Sequence, residues 1–311
     1  MSTRTRTVVV ALGGNALLRR DQAPRCDLQR ANARAAAGAL APLARTGRLV
    51  VTHGNGPQVG LLALAQAADG TPLDVLDAET EGMIGYLVAQ ELDNALGAGR
   101  RAVALLTQVE VAADDAAFAT PTKPIGPVYA ASHATALRAR HGWTLIADGD
   151  GVRRAVASPA PRRIVELDVI ELLVAHDVVV VCAGGGGIPV VRREDGALAG
   201  VEAVVDKDLA SSLLARALDA DALLLLTDVD ALYDGFGTAA ARAWREIGSD
   251  TLARYRFAAG TMAPKVAACR AFVDGGGAYA AIGRLDAADE VLAGRAGTRI
   301  VAGAAPSRWW T

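Results

Sequence analysis

The run from Val178 to Ala183, VVVVCA, constrains this chain more than any other stretch, because it is apolar at every position and stops at four glycines, Gly184 to Gly187. A strand can be apolar on both alternating faces only where both are covered, as in the middle of a parallel sheet flanked by helices. Three other runs have this form: Thr7 to Leu12 (TVVVAL), Leu49 to Thr52 (LVVT) and Ala222 to Leu226 (ALLLL). Each ends in a glycine or polar turn: Gly13-Gly14-Asn15, His53-Gly54-Asn55-Gly56, and Thr227-Asp228-Val229-Asp230. The expected fold is α/β, a three-layer αβα sandwich around an open, mainly parallel central sheet. Ligands of such sheets lie beyond the carboxyl ends of the strands. Glycine there permits positive φ and lets backbone N–H groups approach an anion.

The cations sharpen that expectation. Of 32 Lys plus Arg residues only three are lysine, Lys123, Lys207 and Lys265, in a chain that otherwise uses arginine. A compact ammonium can contact a single transferring oxygen in a way that a broad guanidinium cannot. Lys207 stands between Asp206 and Asp208 at the start of an apolar-periodic helix through Leu209, Leu213 and Leu214. Lys265 follows Pro264 at the head of a helix from Val266 to Asp274, where a cation is unfavourable unless an anion shares the site. Lys123 sits in Thr122-Lys123-Pro124, held by proline within an excursion from Asp114 to Pro161 that is poor in core residues and reads as an arm. These residues suggest a phosphate-handling centre, with Asp208 holding Lys207 in place.

The rest of the chain is read more coarsely. Helices are expected from Ala16, over Ala33 to Leu43, and over Glu81 to Leu96, the last with an apolar face at Met83, Leu87, Val88 and Leu92. Pro72 to Asp77 reads as loop, while Ala102 to Leu106, Tyr279 to Ile282 and Thr298 to Val301 read as strands. The tail PSRWWT reads as a loosely held end. His53 could serve as a general base or as a hydrogen-bonding scaffold. Asp228 and Asp230 could be metal ligands or members of a self-bonded turn.

Several functions are excluded. A net charge of −2 with dispersed basic residues offers no face for nucleic acid or an anionic membrane. No apolar run approaches a membrane span, and the segment after MSTRTRT is too short for a secretion signal. Cys26, Cys182 and Cys269 are far apart with no CxxC, which indicates a reduced, cytoplasmic chain. In the turn after Thr52 the third glycine comes one residue late for a dinucleotide fingerprint, and no GxxxxGK[ST] occurs.

Seven segments in order, ALGGN (11–15), THGNGPQVG (52–60), PTKPIGP (121–127), AGGGGIPV (183–190), GVEAVVDKDLAS (200–211), LLTDVDALY (225–233) and FAAGTMAPK (257–265), together resemble the carbamate kinases of the amino acid kinase superfamily. The resemblance implies reversible phosphoryl transfer between ATP and carbamate, giving ADP and carbamoyl phosphate and commonly running toward ATP. It implies one domain over 1–311, with an acceptor lobe over about 1–177 that includes the arm over about 114–161, and a nucleotide lobe over about 178–311. It also implies a homodimer, and Mg²⁺ held mainly by the nucleotide phosphates rather than by protein ligands.

Residue by residue, Gly13, Gly14 and Asn15 would contact the transferring phosphoryl, and Gly54, Asn55 and Gly56 would bind carbamate through backbone N–H groups. Lys207, Lys265 and Lys123 would stabilise the transferring group, with Asp208 orienting the lysines. Gly184, Gly185, Gly186, Thr227, Asp228, Val229, Asp230, Tyr233, Ala259, Gly260, Met262 and Lys265 would border the nucleotide. Ala263 departs from the family pattern, which carries glycine there. The alternatives are an acetylglutamate or glutamate 5-kinase type of enzyme, or a non-catalytic nucleotide-binding protein on this fold. The former typically carries a lysine near the first glycine turn, which Val8 to Leu12 lacks.

Overall fold

The computed structural model describes residues 5–14, 17–18, 22, 25–66, 70–257 and 262–311. Strand β1 (Thr7–Leu12) is followed by helix α1 (Cys26–Thr46), strand β2 (Arg48–His53), helix α2 (Gly56–Ala65) and helix α3 (Leu73–Leu96). Two expectations are corrected here. Ala16 lies outside the described residues; Leu17 and Leu18, expected to continue a helix from it, lie in a turn and bend, and the first α-helix among the described residues starts at Cys26. The stretch Pro72 to Asp77 is not a loop: Pro72, extended and with no N–H to satisfy, stands at the N-cap of α3, and the helix starts one residue later. The face of α3 is also rotated from expectation. Met83 is exposed, whereas Ile84, Val88 and Leu92 are buried.

Next come β3 (Ala102–Ala104), two residues shorter than expected, and β4 (Gln108–Val111). The arm is more regular than its composition suggests. It carries β5 (Lys123–Ala130), α4 (Ala134–His141), β6 (Thr144–Asp148) and β7 (Gly151–Val156), with the strands paired antiparallel in the order β5-β7-β6. Its strands bury few side chains, Ile125 and Val156 among them, which is why no hydrophobic period announces them.

The chain returns through β8 (Pro161–Ile164), α5 (Leu167–Ala175) and β9 (Val179–Val181). It then forms β10 (Ile188–Arg192), β11 (Leu198–Gly200), α6 (Lys207–Ala217), β12 (Ala222–Thr227), β13 (Tyr233–Asp234), β14 (Arg242–Gly248) and α7 (Ser249–Leu252). The last elements are α8 (Met262–Asp274), β15 (Ala280–Arg284), α9 (Ala288–Leu292), β16 (Thr298–Val301) and β17 (Arg308–Trp309).

Among the described residues the main sheet has ten strands, in the order β13-β14-β16-β15-β12-β1-β2-β9-β3, with β17 pairing β14. Its centre, from β15 through β12, β1, β2 and β9 to β3, is entirely parallel. The uninterrupted apolar runs follow from burial on both faces. In β1, Val9 and Ala11 join one core with α6 and α8, while Val8, Val10 and Leu12 join another with α1 and α3. β9, which the expected lobe division groups with the C-terminal half, pairs between β2 and β3. A smaller sheet, β11-β10-β4-β8, leads toward the arm. The tail is not loose: Trp309 stacks on the buried Trp244 with centroids 5.2 Å apart, and Trp310 Nε1–H donates to the Gly297 carbonyl at 2.8 Å. No helix among the described residues is long and apolar enough to cross a membrane.

Candidate active site

The register of the central strands puts Leu226, Leu12 and His53 in one row, so three turns leave the sheet side by side. They stay in backbone contact. Gly13 N–H donates to the Leu226 carbonyl at 2.9 Å, and Gly54 N–H donates to that of Leu12 at 3.2 Å. A Cβ on Gly54 would lie 3.1 Å from the Gly14 nitrogen and 3.8 Å from Lys207 Cδ, so glycine at 54 lets the two turns and a lysine stem meet. Asn15 lies outside the described residues.

Two helix starts supply the charges. Asp206 caps α6, its Oδ1 accepting the N–H groups of Asp208 and Leu209, which fixes the direction of the first turn. Lys207 Nζ then donates to Asp208 Oδ1 at 2.6 Å, and Lys265 Nζ, from the first turn of α8, donates to Asp208 Oδ2 at 2.9 Å. All three side chains are at most 15% exposed. Burial alone would raise Asp208, but the two ammonium groups hold it below the usual carboxylate range. Burial draws Lys207 down from its ordinary value, whereas Asp208 outweighs burial at Lys265 and holds it up. Ala263 falls within the first turn of α8, where an alanine is fully compatible with the backbone.

The arm reaches this centre. Lys123 Nζ, at the start of β5, donates to Asp206 Oδ2 at 2.9 Å, so the cap of α6 also receives the third lysine. The approach depends on Gly60 and Gly126, for a Cβ on Gly60 would stand 1.9 Å from the Gly126 Cα. The three scarce lysines thus converge on two adjacent carboxylates.

The segment expected to border the nucleotide leaves β12 beside Gly13, whose Cβ position is 3.7 Å from the Thr227 Cα. Thr227 Oγ1–H donates to Asp228 Oδ1 at 2.9 Å, and Tyr233 O–H to Asp230 Oδ2 at 2.7 Å, while Val229 packs on the core. Met262 opens α8; Ala259 and Gly260 lie outside the described residues. Gly56 is the first residue of α2. No cluster of three His, Cys, Asp or Glu side chains suited to a metal ion occurs among the described residues.

The glycine turn 184–187 has positive φ at Gly185, Gly186 and Gly187. It lies under the turn at His53 to Gly56. A Cβ on Gly184 would meet His53 Cε1 at 2.3 Å, and one on Gly185 would meet the Asn55 amide at 2.2 Å. The Gly184 N–H donates to Glu81 Oε1 at 2.8 Å. The Asn55 amide donates to Asp77 Oδ1 and Thr80 Oγ1, both at 2.9 Å.

Asp77, Thr80 and Glu81, which sequence reading missed, form a buried polar stripe along α3, each at most 3% exposed. Their i, i+3, i+4 spacing was a visible signal, hidden by reading Pro72 to Asp77 as loop. His53 is fully buried, and desolvation pushes its pKa down to about 4, so it is neutral at ordinary pH.

The pattern of the amino acid kinase family matches residues 6–284. A carbamate kinase of Rhizobium meliloti (strain 1021) is 48% identical over 97% of this chain and 95% of its own length. One of Escherichia coli (strain K12) is 50% identical over 95% of this chain and 99% of its own. The structure of carbamate kinase from Giardia lamblia bound to AMP-PNP superposes with a TM-score of 0.87 at 40% identity, covering 96% of this chain and 99% of that one.

Proposed function

The chain belongs to the amino acid kinase family, and from that premise we propose that it transfers a phosphoryl group reversibly between ATP and carbamate, forming ADP and carbamoyl phosphate. The observation that carries this reading is the convergence of Lys207, Lys265 and Lys123 on Asp206 and Asp208, beside the turns at Gly13 and Gly54.

Phosphoryl transfer asks a protein for alignment and charge neutralisation rather than covalent help. Lys207 and Lys265, bridged by Asp208, meet the equatorial oxygens of the transferring group; Gly14 and Asn15 contact it too, and Gly13, its N–H taken by the Leu226 carbonyl, sets the turn against β12. Asn55 and Gly56 hold carbamate by backbone N–H groups, with Gly54 giving them room, since the Gly54 N–H is taken by the Leu12 carbonyl and the Asn55 side chain is committed to α3. Thr227 to Tyr233 and Ala259 to Met262 border the nucleotide. Carbamate is already an anion, so no general base is needed. Lys123 closes the arm over the site and excludes water, which strengthens every charge interaction inside. The oxygens of Asp208 are both engaged by lysines, which fits a Mg²⁺ carried mainly by the nucleotide phosphates, where it would supply neutralisation of their charge.

The physiological direction is ATP synthesis from carbamoyl phosphate. The protein works in the cytoplasm, in keeping with its free cysteines. It acts as a homodimer through the β3 edge of the sheet and neighbouring α3, where Leu106, Tyr86 and Met83 are exposed. The division of labour is acceptor against nucleotide: β1, β2, β9 and β3 with the arm on one side, β12 to β16 on the other.

The test is to assay the full chain with ATP and Mg²⁺ against carbamate, acetylglutamate and glutamate. Phosphorylation of carbamate alone supports the reading; preference for either amino acid would replace it with the rival kinase class.

A further inference from the structure

Beneath the acceptor turn lies a cavity of about 160 Å³ for which the phosphoryl-transfer mechanism has no use. Its polar lining comes from His53 and Glu81; Gly82, Gly85, Ala104, Leu105, Val181 and the exposed Leu106 complete the wall. His53 Nδ1 faces the Gly54 carbonyl at 3.4 Å, which favours a proton on Nδ1 and leaves Nε2 an acceptor. That Nε2 is buried with no hydrogen-bond partner. Glu81 accepts backbone N–H groups from Gly184 at 2.8 Å and Thr107 at 3.2 Å, and among the described residues no cation pairs with it. The position a Gly184 Cβ would take is 2.5 Å from His53 Nε2 and 3.0 Å from Glu81 Cγ, so the two side chains flank one point.

An orphaned buried acceptor and a buried acid with an O–H to give are complementary. We propose that Glu81 and His53 form a neutral acid–imidazole pair, with Glu81 O–H donating to His53 Nε2 through one water in the cavity. We propose further that this pair is the positioning device of the acceptor turn. The cavity is roomy and polar enough for such a water.

The pair clamps two turns at once. His53 continues directly into Gly54, and Glu81 holds Gly184, on which His53 rests. The positioning role rests on the carbamate reading; the pair itself does not. Its neutral form is set by its surroundings. Asp77 on α3 and Cys182 beside β9 face Glu81, Lys207 on α6 faces His53, and burial pushes Glu81 up to about 8. Above that pH Glu81 loses the O–H, and the turn loses its clamp.

The direct test is ¹⁵N NMR of the four histidines of the full chain against pH. His53 is expected to stay neutral with its proton on Nδ1, and its Nε2 resonance to move with an inflection near 8 that vanishes in Glu81→Gln. A proton on Nε2, or an ordinary imidazole titration at His53, overturns the pair, and so does loss of the inflection in neither protein.

Kinetics test the positioning role. Between about pH 7 and pH 9 the neutral fraction of Glu81 falls about tenfold, so the KM for carbamoyl phosphate rises about tenfold in the wild type. In Glu81→Gln it stays flat, and the KM for ADP behaves alike in both. Glu91→Gln, which alters a buried glutamate of the same helix bonded to Arg34 at 3.1 Å, keeps the wild-type profile. Identical profiles in wild type and Glu81→Gln, or a Glu91→Gln profile like that of Glu81→Gln, refute the positioning role. Should Glu81→Gln fail to fold, the wild-type tautomer and inflection decide. Absence of any turnover would refute the carbamate reading, while the NMR result still decides the pair.

Discussion

Lys265 Nζ lies 2.9 Å from Asp208 Oδ2, and this contact ties the first turn of α8 to the first turn of α6. The other oxygen of Asp208 takes Lys207 at 2.6 Å. One carboxylate therefore holds two ammonium groups at a fixed separation, in a place where burial without it would drive them apart or deprotonate them. The arrangement is prepared for an anion before the anion arrives, and such preorganisation is where electrostatic catalysis gains most.

Asp208→Asn keeps the shape and removes the charge. We expect kcat to fall by about 10²–10³ through lost alignment of the lysines. Stability should drop by about 3–5 kcal/mol, because two buried cations lose their counter-charge. Denaturant unfolding and initial rates measure the two effects separately; retention of both would mean that Asp208 is a bystander.

Lys123→Ala releases the arm from Asp206. Both side chains are only about one-fifth exposed and share a charge-assisted hydrogen bond, so stability falls by about 1.5–3 kcal/mol. The expected loss is also kinetic: a higher KM for carbamoyl phosphate and faster proteolysis of the arm. Lys123→Arg should rescue neither fully, since a planar fork does not replace a compact ammonium at this cap.

Gly60→Ala tests the arm from the other side. Its new methyl would overlap the Gly126 backbone, which has positive φ and belongs to β5. The arm must lift, so activity should fall while the main sheet keeps its unfolding transition. An active Gly60→Ala enzyme would show that close arm docking is dispensable.

His53 sets an acid limit. Its folded pKa of about 4 lies below the ordinary imidazole value, so it stabilises the fold above pH 6.5 and loses that contribution as pH falls toward 4. The contribution is about 3 kcal/mol when complete. In His53→Gln this loss is absent, so the stability gap between wild type and variant should narrow on acidification from pH 7 to pH 4.5. A gap independent of pH would mean that His53 binds its proton as readily in the fold as in the unfolded chain.

Much of the architecture was legible because burial on both faces leaves a plain mark. The strands at Thr7, Leu49, Val178 and Ala222 all fall in the central sheet, and Thr298–Val301 matches β16 residue for residue. The site was legible through scarcity: three lysines in an arginine-using chain meet within one cluster. What escaped notice was whatever lacked a period of its own. The arm strands bury too little to alternate, and Trp309 shows its partner Trp244 only in three dimensions. The start of α3 was masked by Pro72, a residue that punctuates loops and helix starts alike. With it went Asp77 and Thr80, which hold the Asn55 amide, and their spacing to Glu81, which holds the Gly184 N–H.

ATP formation from ADP and carbamoyl phosphate with Mg²⁺ measures whether Lys207 and its partners stabilise the transferring phosphoryl group. The account predicts turnover by the wild-type chain and a fall of at least about 10²-fold in kcat for folded Lys207→Ala. No ATP from the wild type, or equal turnover by the variant, would contradict it.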